Sequence, residues 1–345
     1  MNREQYAAML QKINETRVAN GDVAACIEEF RKKYKYVYVY NDSCFKKIFG
    51  AYANRDMAAS FLNAVLKLEG SNCIRSLDFI DPSVPGGPFV KSVTSDLVAL
   101  NQDRNRIVIE VQHKGDDSFK DRLVFYTACH TLQNKVPGQI YALRNMDFIA
   151  LQMFDSYPES NDYRHCVQLK NQNNEVFFGK HMLTIVEVAK FIKGDYRMDE
   201  SRLACWLRAI ECINNEQDLD GNAFTANVIP LQNAAKLCNF DMGFLISEAK
   251  FMSDQAYTLE IERKEARAEG RAEGRAEGRA VGLAEGRAEG RAEGLAEGRA
   301  EGRAEERHEL AKRKLQKGTS SVEEIAEDFS LSVDEVIQLK KSLGL

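Results

Sequence analysis

The sequence lacks any pair of cysteines in C-x-x-C spacing, although it contains eight cysteines among its 345 residues. Structural zinc sites usually place such a pair on a tight turn, so a zinc-binding domain is excluded. Scattered cysteines also fit a reducing compartment better than a disulfide framework. We therefore expect a cytoplasmic protein.

Long apolar runs are absent as well. No stretch approaches the roughly 18 apolar residues of a membrane-spanning helix, and residues 1–18 are polar, unlike a secretory signal. A membrane is therefore not expected as a partner. The sequence also lacks a basic excess, since its formal net charge is −5. This charge argues against a surface that coats nucleic acid broadly, and it leaves a local basic groove open.

The chain is long enough for one large domain or two modest ones, and its 44% of hydrophobic residues predicts an ordinary core. Changes in composition divide it into five segments. These are an accessory helical N-terminal arm (1–40), an α/β core (41–195), a helical extension (196–263), a repeat linker (264–305) and a two-helix tail (306–345).

Apolar spacing within the core predicts helices and strands in a mixed order. Helices are expected to begin near Asp42 and to span 54–68 and 118–135. The expected strands are 73–81, 95–100, 106–112, 139–143 and 148–154, and the chain beyond 154 is expected to be mostly helical. This order predicts an α/β fold with a mixed sheet flanked by helices and a helical C-terminal extension.

A short polar connector joins strands 95–100 and 106–112, which predicts an antiparallel hairpin. If the hairpin is symmetric about Asp103, Asp96 lies directly opposite Glu110. Because side chains alternate along a strand, Glu110 and Gln112 share one face. The other face is then wholly apolar, as expected of a buried sheet face, and consists of Leu97, Ala99, Ile107, Ile109 and Val111.

Two carboxylates that converge at strand ends supply the oxygen ligands that Mg²⁺ prefers. Asp96 and Glu110 would be two of these ligands and the backbone carbonyl of Val111 a third, with Mn²⁺ as a substitute ion. Such an ion would activate a bound water and stabilise charge on a scissile phosphate. Gln112 carries no charge, so it is left to orient water or to contact a phosphate oxygen. The alternative is a chance pair of surface acids on a hairpin.

Three further residues precede the hairpin in the sequence. Asp42 lies at a predicted helix start, so it is either a helix N-cap or an accessory acid of the site. Lys46 and Lys91 could contact the DNA backbone, or they could be ordinary solvated lysines.

Residues that follow the hairpin have similar alternatives. Arg122 and Tyr126 are spaced i, i+4 on the next predicted helix, and they would orient Glu110, contact phosphate, or serve only as helix residues. His113 follows Gln112, and strand alternation turns it away from the two acids.

Residues 268–303 repeat the tetrapeptide Ala-Glu-Gly-Arg with few exceptions. Positions four apart carry like charges, and nine glycines each cost about 1 kcal/mol relative to alanine, so the repeat is a poor isolated helix. Two alternatives remain. The segment is either a flexible spacer or a partly helical linker that becomes ordered against a second copy of the chain.

The last residues predict two helices that begin with Ser-x-x-Glu capping boxes, at Ser320–Glu323 and at Ser332–Glu335. Residues 318–345, which hold these two helices, contain six acidic residues and only two basic ones, Lys340 and Lys341. Phosphate binding needs cations. The tail is therefore predicted to act in docking or oligomerisation rather than in DNA contact.

The chain resembles the Rpn family of recombination-promoting nucleases, a branch of the PD-(D/E)XK superfamily. The resemblance covers nearly the whole chain beyond residue 40. It is carried by 41–50, 61–66, Lys91 with Ser95 and Asp96, 109–112, Phe119 with Arg122 and Tyr126, 185–191, the repeat and the two-helix tail.

This resemblance implies a restriction-endonuclease-like core and a Mg²⁺-dependent DNA endonuclease that acts in recombination or on mobile elements. It implies that Asp96 and Glu110 are metal ligands. Gln112 stands where the superfamily usually has lysine, and Ser95 stands where proline usually precedes the aspartate. Two alternatives remain open. One is a nuclease-fold protein that binds DNA or oligomerises without cutting, and the other is a transposase with strand-transfer activity.

Overall fold

The computed structural model describes residues 1–86, 92–113, 115, 118–194, 196, 199–221 and 224–345, with all their side chains except those of 259, 262 and 272. Contacts divide the chain into two compact units, Met1–Ala256 and Tyr257–Leu345. The boundaries of the five segments expected from the sequence remain a prediction.

Helices account for most of the described elements. They are α1 Arg3–Val18, α2 Val23–Lys33, α3 Asp42–Phe49, α4 Arg55–Leu66, α5 Phe119–Gln133, α6 Val188–Lys193, α7 Arg202–Asn214, α8 Ile229–Ala234, α9 Met242–Lys317, α10 Val322–Asp328 and α11 Val333–Ser342. The strands are β1 Leu77–Ile80, β2 Ser83–Val84, β3 Val93–Thr94, β4 Leu97–Asn101, β5 Arg106–Gln112, β6 Met146–Gln152, β7 Arg164–Lys170 and β8 Val176–Glu187.

The main sheet has six strands in the order β1-β4-β5-β6-β8-β7. Its two outer parts are antiparallel, whereas β5, β6 and β8 run parallel to one another. Strands β4 and β5 pair Leu97 with Ile109 and Ala99 with Ile107. Continued by one residue, this register sets Asp96 opposite Glu110. The predicted mixed sheet and the predicted hairpin register are both confirmed.

Two expectations about the second half of the sheet were wrong. Residues 139–143 do not form a strand, and only an isolated bridge joins Lys135 to Leu143. Residues 164–170 and 176–187, expected to be helical, form β7 and β8. Asn171 makes the turn between them by accepting hydrogen bonds from the backbone of Asn173 and Glu175. The last four residues of β8, Thr184–Glu187, are all buried, as is usual for a strand in a parallel part of a sheet.

The two faces of the sheet are covered by different helices. One face contributes to the larger core together with α1, α3, α4 and α7, and the apolar side chains predicted for this face all belong to that core. At its centre is an aromatic cluster of Phe45, Phe49, Phe61 and Trp206. The other face packs Val98, Val108 and Phe148 against α5. Helix α5 is therefore the element that covers the face carrying Glu110.

Helices α1 and α2 precede the predicted α/β core in sequence but contribute to the same packing. Tyr6, Met9, Leu10 and Ile13 are buried among the residues of the larger core. Tyr6 also shares a hydrogen bond of 3.0 Å with the Cys44 thiol of α3. Helix α1 therefore packs against α3 on the side of the larger core.

Glu187, at the end of β8, is fully buried and surrounded by donors. It accepts hydrogen bonds from Lys190 Nζ at 2.6 Å, from His165 Nε2 at 2.9 Å, from the Tyr157 amide at 3.0 Å and from the Ser156 amide. Burial opposes ionisation, but these bonds outweigh it and lower the pKa of Glu187 to about 2. The carboxylate thereby ties β7, β8 and the loop after β6 together.

The second unit contains the end of α9 with α10 and α11, which share a small core of Ala311, Leu315, Ile325, Ala326 and Val336. Capping boxes begin α10 at Ser321–Glu324 and α11 at Ser332–Glu335. The box predicted at Ser320–Glu323 is therefore wrong by one residue, because Ser321 is the residue with extended backbone before the first helical turn.

The repeat, residues 268–303, lies within α9 and is helical throughout. All of its described side chains are exposed, and a Cβ added at any of its nine glycines would meet nothing within 4 Å. Among the described residues, no helix is both long and apolar enough to cross a membrane.

The aromatic cluster gives a direct test of the core. We expect Phe61→Ala to lower the free energy of unfolding by about 3–5 kcal/mol, because it opens a cavity beneath Trp206. Urea denaturation followed by the fluorescence of this single tryptophan measures the change. Phe177→Ala is the matched control, since Phe177 is 83% exposed. Equal effects of the two substitutions would contradict this description of the core.

The lowered pKa of Glu187 predicts a pH dependence. We expect Glu187→Gln to destabilise the protein by about 3 kcal/mol at pH 7, because Lys190 and His165 lose their buried partner. A group whose folded pKa is depressed contributes stability above its unfolded pKa, near 4.5, and loses that contribution as pH falls toward 2. The free energies of unfolding of the wild type and of Glu187→Gln, measured by denaturation, should therefore converge as pH falls from 4.5 toward 2. A constant difference down to pH 2 would refute the assignment.

Candidate active site

Asp96 and Glu110 lie side by side at one end of the β4–β5 hairpin. Their residues are 9% and 4% exposed, respectively. Asp96 Oδ2 accepts a hydrogen bond of 2.7 Å from the Val111 amide, across the two strands. Glu110 Oε2 is 3.4 Å from Gln112 Nε2, and Glu110 Oε1 is buried without a hydrogen-bond partner. The hairpin thus buries two acids together and leaves one carboxylate oxygen unsatisfied.

Helix α3 approaches the pair from the side of the larger core. Lys46 Nζ lies 3.2 Å from Asp96 Oδ1. Asp42, one turn earlier on α3, acts on Asp96 through its negative charge. His113 Nε2 points to the Tyr40 carbonyl oxygen at 2.8 Å and lies 3.4 Å from Asp42 Oδ1. His113 therefore contacts α3 and the segment before it rather than the acidic pair.

One alternative for Asp42 was wrong. The N-cap of α3 is Asn41, whose side-chain oxygen accepts a hydrogen bond of 3.0 Å from the Cys44 amide. Asp42 is the first residue inside the helix, where its negative charge is favoured by the helix dipole. Its carboxylate is thus left to act on the neighbouring charges.

Helix α5 covers the hairpin from the other face. Arg122 of α5 lies beside Gln112 of β5, and Tyr126, one helical turn later, lies beside Glu110, two strand residues earlier. The two spacings match, because four helical residues rise about 6 Å and two strand residues span about 6.7 Å. Arg122 Nη2 donates to Gln112 Oε1 at 2.9 Å.

Tyr126 is half-buried beside the acids. Burial, and then the negative charge of Glu110, raise the pKa of its phenol. The structure therefore brings six of the predicted residues into one neighbourhood: Asp96, Glu110, Gln112, Lys46, Arg122 and Tyr126, with Asp42 close to Asp96. Lys91, the remaining accessory residue, lies outside the described residues.

The surroundings of Asp96 and Glu110 disfavour the ionised forms of both carboxyl groups. Burial, and then the charge of Asp42, raise the pKa of Asp96, against the lowering effect of Lys46. Burial, and then repulsion from Asp96, raise the pKa of Glu110 to about 8, against the lowering effects of the nearby Ser95 hydroxyl and of Lys46. Two adjacent buried carboxylates repel each other, and a cation between them would relieve that repulsion.

The donor set fits a hard divalent cation. Among the residues that the structure describes, no three His, Cys, Asp or Glu side chains come together as metal ligands. The protein ligands would therefore be two carboxylates and the Val111 carbonyl oxygen, and Mg²⁺ accepts such a small set because it retains several waters. The unsatisfied Glu110 oxygen is the observation that favours a bound ion.

Three buried polar residues, Ser95, His130 and Arg106, contact one another beside the acidic pair, and the sequence had not given them a role in the site. Ser95 Oγ lies 2.8 Å from His130 Nε2, and His130 Nδ1 lies 3.4 Å from Arg106 Nη1. The available signal was His130 itself, a polar residue in the apolar row of α5 one turn after Tyr126. Arg106 offered a second signal, because strand alternation puts it on the face of Glu110.

Comparison with known proteins agrees with the geometry. The family model described as PD-(D/E)XK nuclease family transposase matches residues 39–260, a range that includes α3, the whole six-stranded sheet and α5. No curated protein and no solved structure matches the chain. Because the matched range is more than half of the chain, this protein belongs to the PD-(D/E)XK nuclease family of transposases.

Proposed function

We propose that the protein is a metal-dependent DNA endonuclease that hydrolyses phosphodiester bonds, linked to recombination or mobile elements. The observation that carries the proposal is the buried pair Asp96 and Glu110 with its unsatisfied oxygen. Burying two carboxylates side by side costs free energy of folding. Groups held at such a cost are typical of functional sites, and these two carboxylates would bind a cation that in turn binds a phosphate. The family supports DNA as the substrate.

In this proposal Asp96, Glu110 and the Val111 carbonyl would hold Mg²⁺, with Mn²⁺ as a substitute. Bound there, the ion would supply Lewis-acid chemistry for the phosphate and for the attacking water. Gln112 would orient that water, because its two amide atoms are fixed by Arg122 and Glu110. The amide oxygen of Gln112 faces Arg122 and its amide nitrogen faces Glu110, so the orientation of the side chain is defined.

Lys46 would supply the positive charge that the amide of Gln112 lacks. Its ammonium group lies against Asp96 and its side chain remains 41% exposed, so it can also face a DNA phosphate. Arg122 is a second cation of the site through its contact with Gln112. Charge of this sign stabilises the phosphate as negative charge develops in the transition state.

Two other functions have support from particular features. Gln112 in place of lysine favours a nuclease-fold protein that binds DNA or assembles without cutting. The description of the matched family favours a transposase that joins strands. Products distinguish these functions, because hydrolysis leaves free ends, strand transfer leaves joined molecules and a binding protein leaves the DNA intact.

We also propose that the protein forms homo-oligomers through the repeat and the tail. The repeat carries nine glycines and like charges four residues apart, which do not favour a lone solvated helix. A second helix bearing the same stripes would offset this cost, because glycine and alanine allow close approach and glutamate rows can face arginine rows.

The endonuclease proposal predicts nicking of supercoiled plasmid by the full chain with Mg²⁺ or Mn²⁺. Asp96→Asn and Glu110→Gln should each reduce the nicking rate by about 100-fold or more, because each removes a charge that would hold the ion. EDTA should abolish nicking. Asp103→Asn is the matched control, since Asp103 is an exposed acid at the tip of the same hairpin.

Retention of nicking by both site variants would refute the site. Intact plasmid with either metal ion, together with DNA retardation in gels, would instead support the binding function. Recombinant joined molecules would support the transposase.

The assembly proposal predicts that removing residues 264–345 lowers the molar mass measured by light scattering to that of one chain. The nicking rate per chain should change by less than about threefold, because the residues of the site all lie in the first unit. An unchanged number of chains per particle would contradict assembly through this segment. A large loss of nicking with normal folding would place part of the site in the segment removed.

A further inference from the structure

Three polar residues form a buried chain next to the acidic pair. Ser95 and His130 are completely buried, and Arg106 is 8% exposed. The contacts run from Arg106 Nη1 to His130 Nδ1 at 3.4 Å and from His130 Nε2 to Ser95 Oγ at 2.8 Å. Polar groups buried this deeply cost free energy unless they are hydrogen-bonded to each other.

The chemistry of the three groups fixes the direction of the chain. A guanidinium can only donate, so His130 Nδ1 must accept from Arg106. The imidazole proton then lies on Nε2 and is donated to the Ser95 oxygen. Burial, and then the charge of Arg106, lower the pKa of His130 to about 4, which agrees with a neutral ring. The Ser95 hydroxyl proton is left to point onward.

Ser95 is the residue immediately before Asp96, so its restraint is passed directly to the acid. Its amide donates to the Pro82 carbonyl oxygen at 3.2 Å, and its side chain is held by His130. The Asp96 side chain is held in turn by the Val111 amide. On the other side, the Ser95 hydroxyl lies near Glu110 and favours its ionised form.

We infer that Ser95, His130 and Arg106 are positioning residues that hold Asp96 and Glu110 in the geometry that binds a divalent cation. This inference rests on the proposed function. A chain of this kind takes over the task of proline, which stiffens the backbone before the aspartate in the superfamily pattern. Here the restraint comes from α5, through a side chain 35 residues away.

The first test is the affinity for Mn²⁺, measured by titration calorimetry on the full chain without DNA. Ser95→Ala and His130→Leu should each weaken Mn²⁺ binding by about 10- to 100-fold, the usual effect of removing a partner that orients a ligand. His130→Gln should restore most of the affinity, because its amide nitrogen can also donate to Ser95. Thr184→Val is the matched control, since the Thr184 hydroxyl is equally buried but has no hydrogen-bond partner.

The second test needs no metal. The Val111 amide donates to Asp96, so its hydrogen exchange, followed by NMR, reports whether Asp96 stays in place. Ser95→Ala and His130→Leu should speed exchange at Val111 by about tenfold, corresponding to the loss of one hydrogen bond, and leave Val108 in the middle of β5 unchanged. Equal acceleration at both amides would mean a general loss of stability and would overturn the inference.

The outcomes separate this inference from the proposed function. Weaker Mn²⁺ binding and local exchange at Val111 would support both. Unchanged affinity and unchanged exchange in Ser95→Ala and His130→Leu would overturn the positioning role while wild-type binding still supports the function. Wild-type protein that binds no Mn²⁺, with exchange at Val111 still faster in the variants, would overturn the function and support the restraint on Asp96.

Discussion

The register of the β4–β5 hairpin is the constraint on which the rest of the site depends. It places Asp96 opposite Glu110 while the alternate side chains of both strands enter the larger core. A shift by one residue would turn that apolar row toward α5 and put Asp96, Arg106 and Glu110 into the larger core, so packing of the core enforces the position of the acids. The site is therefore specified by hydrophobic burial on the opposite face of the same two strands.

Helices α3 and α5 complete the site from two sides and supply most of its positive charge. Lys46 on α3 contacts Asp96, and Arg122 on α5 contacts Gln112. The row of Arg122, Tyr126 and His130 runs along α5 above the polar row of β5. Each of these three helix residues lies beside a polar residue of β5: Arg122 beside Gln112, Tyr126 beside Glu110 and His130 beside Arg106. The buried interface between α5 and β5 can therefore contain polar side chains, because most of their polar groups have partners.

Local patterns predicted the hairpin, α3, α4 and α5, because period-two and i, i+3, i+4 spacing survive in those segments. They did not predict β7 and β8. In β8, Gly179 and Lys180 interrupt the apolar pattern, and the segment is a strand because His181–Glu187 pair with β6 while its first residues pair with β7. The contact between Ser95 and His130 could not be read from spacing either, since it exists only once α5 lies across the sheet. The tail was recognisable as helical from its capping boxes, whereas the sequence alone left the repeat as either a flexible spacer or a partly helical linker.

We propose that the two buried acids, Asp96 and Glu110, exist to bind a divalent cation. Crystals of the full chain soaked in Mn²⁺ and measured near the manganese absorption edge test it most directly. We expect one strong anomalous peak in contact with carboxylate oxygens of both Asp96 and Glu110 and with the Val111 carbonyl oxygen. A peak elsewhere, with both carboxylates unchanged and Lys46 still on Asp96, would contradict it.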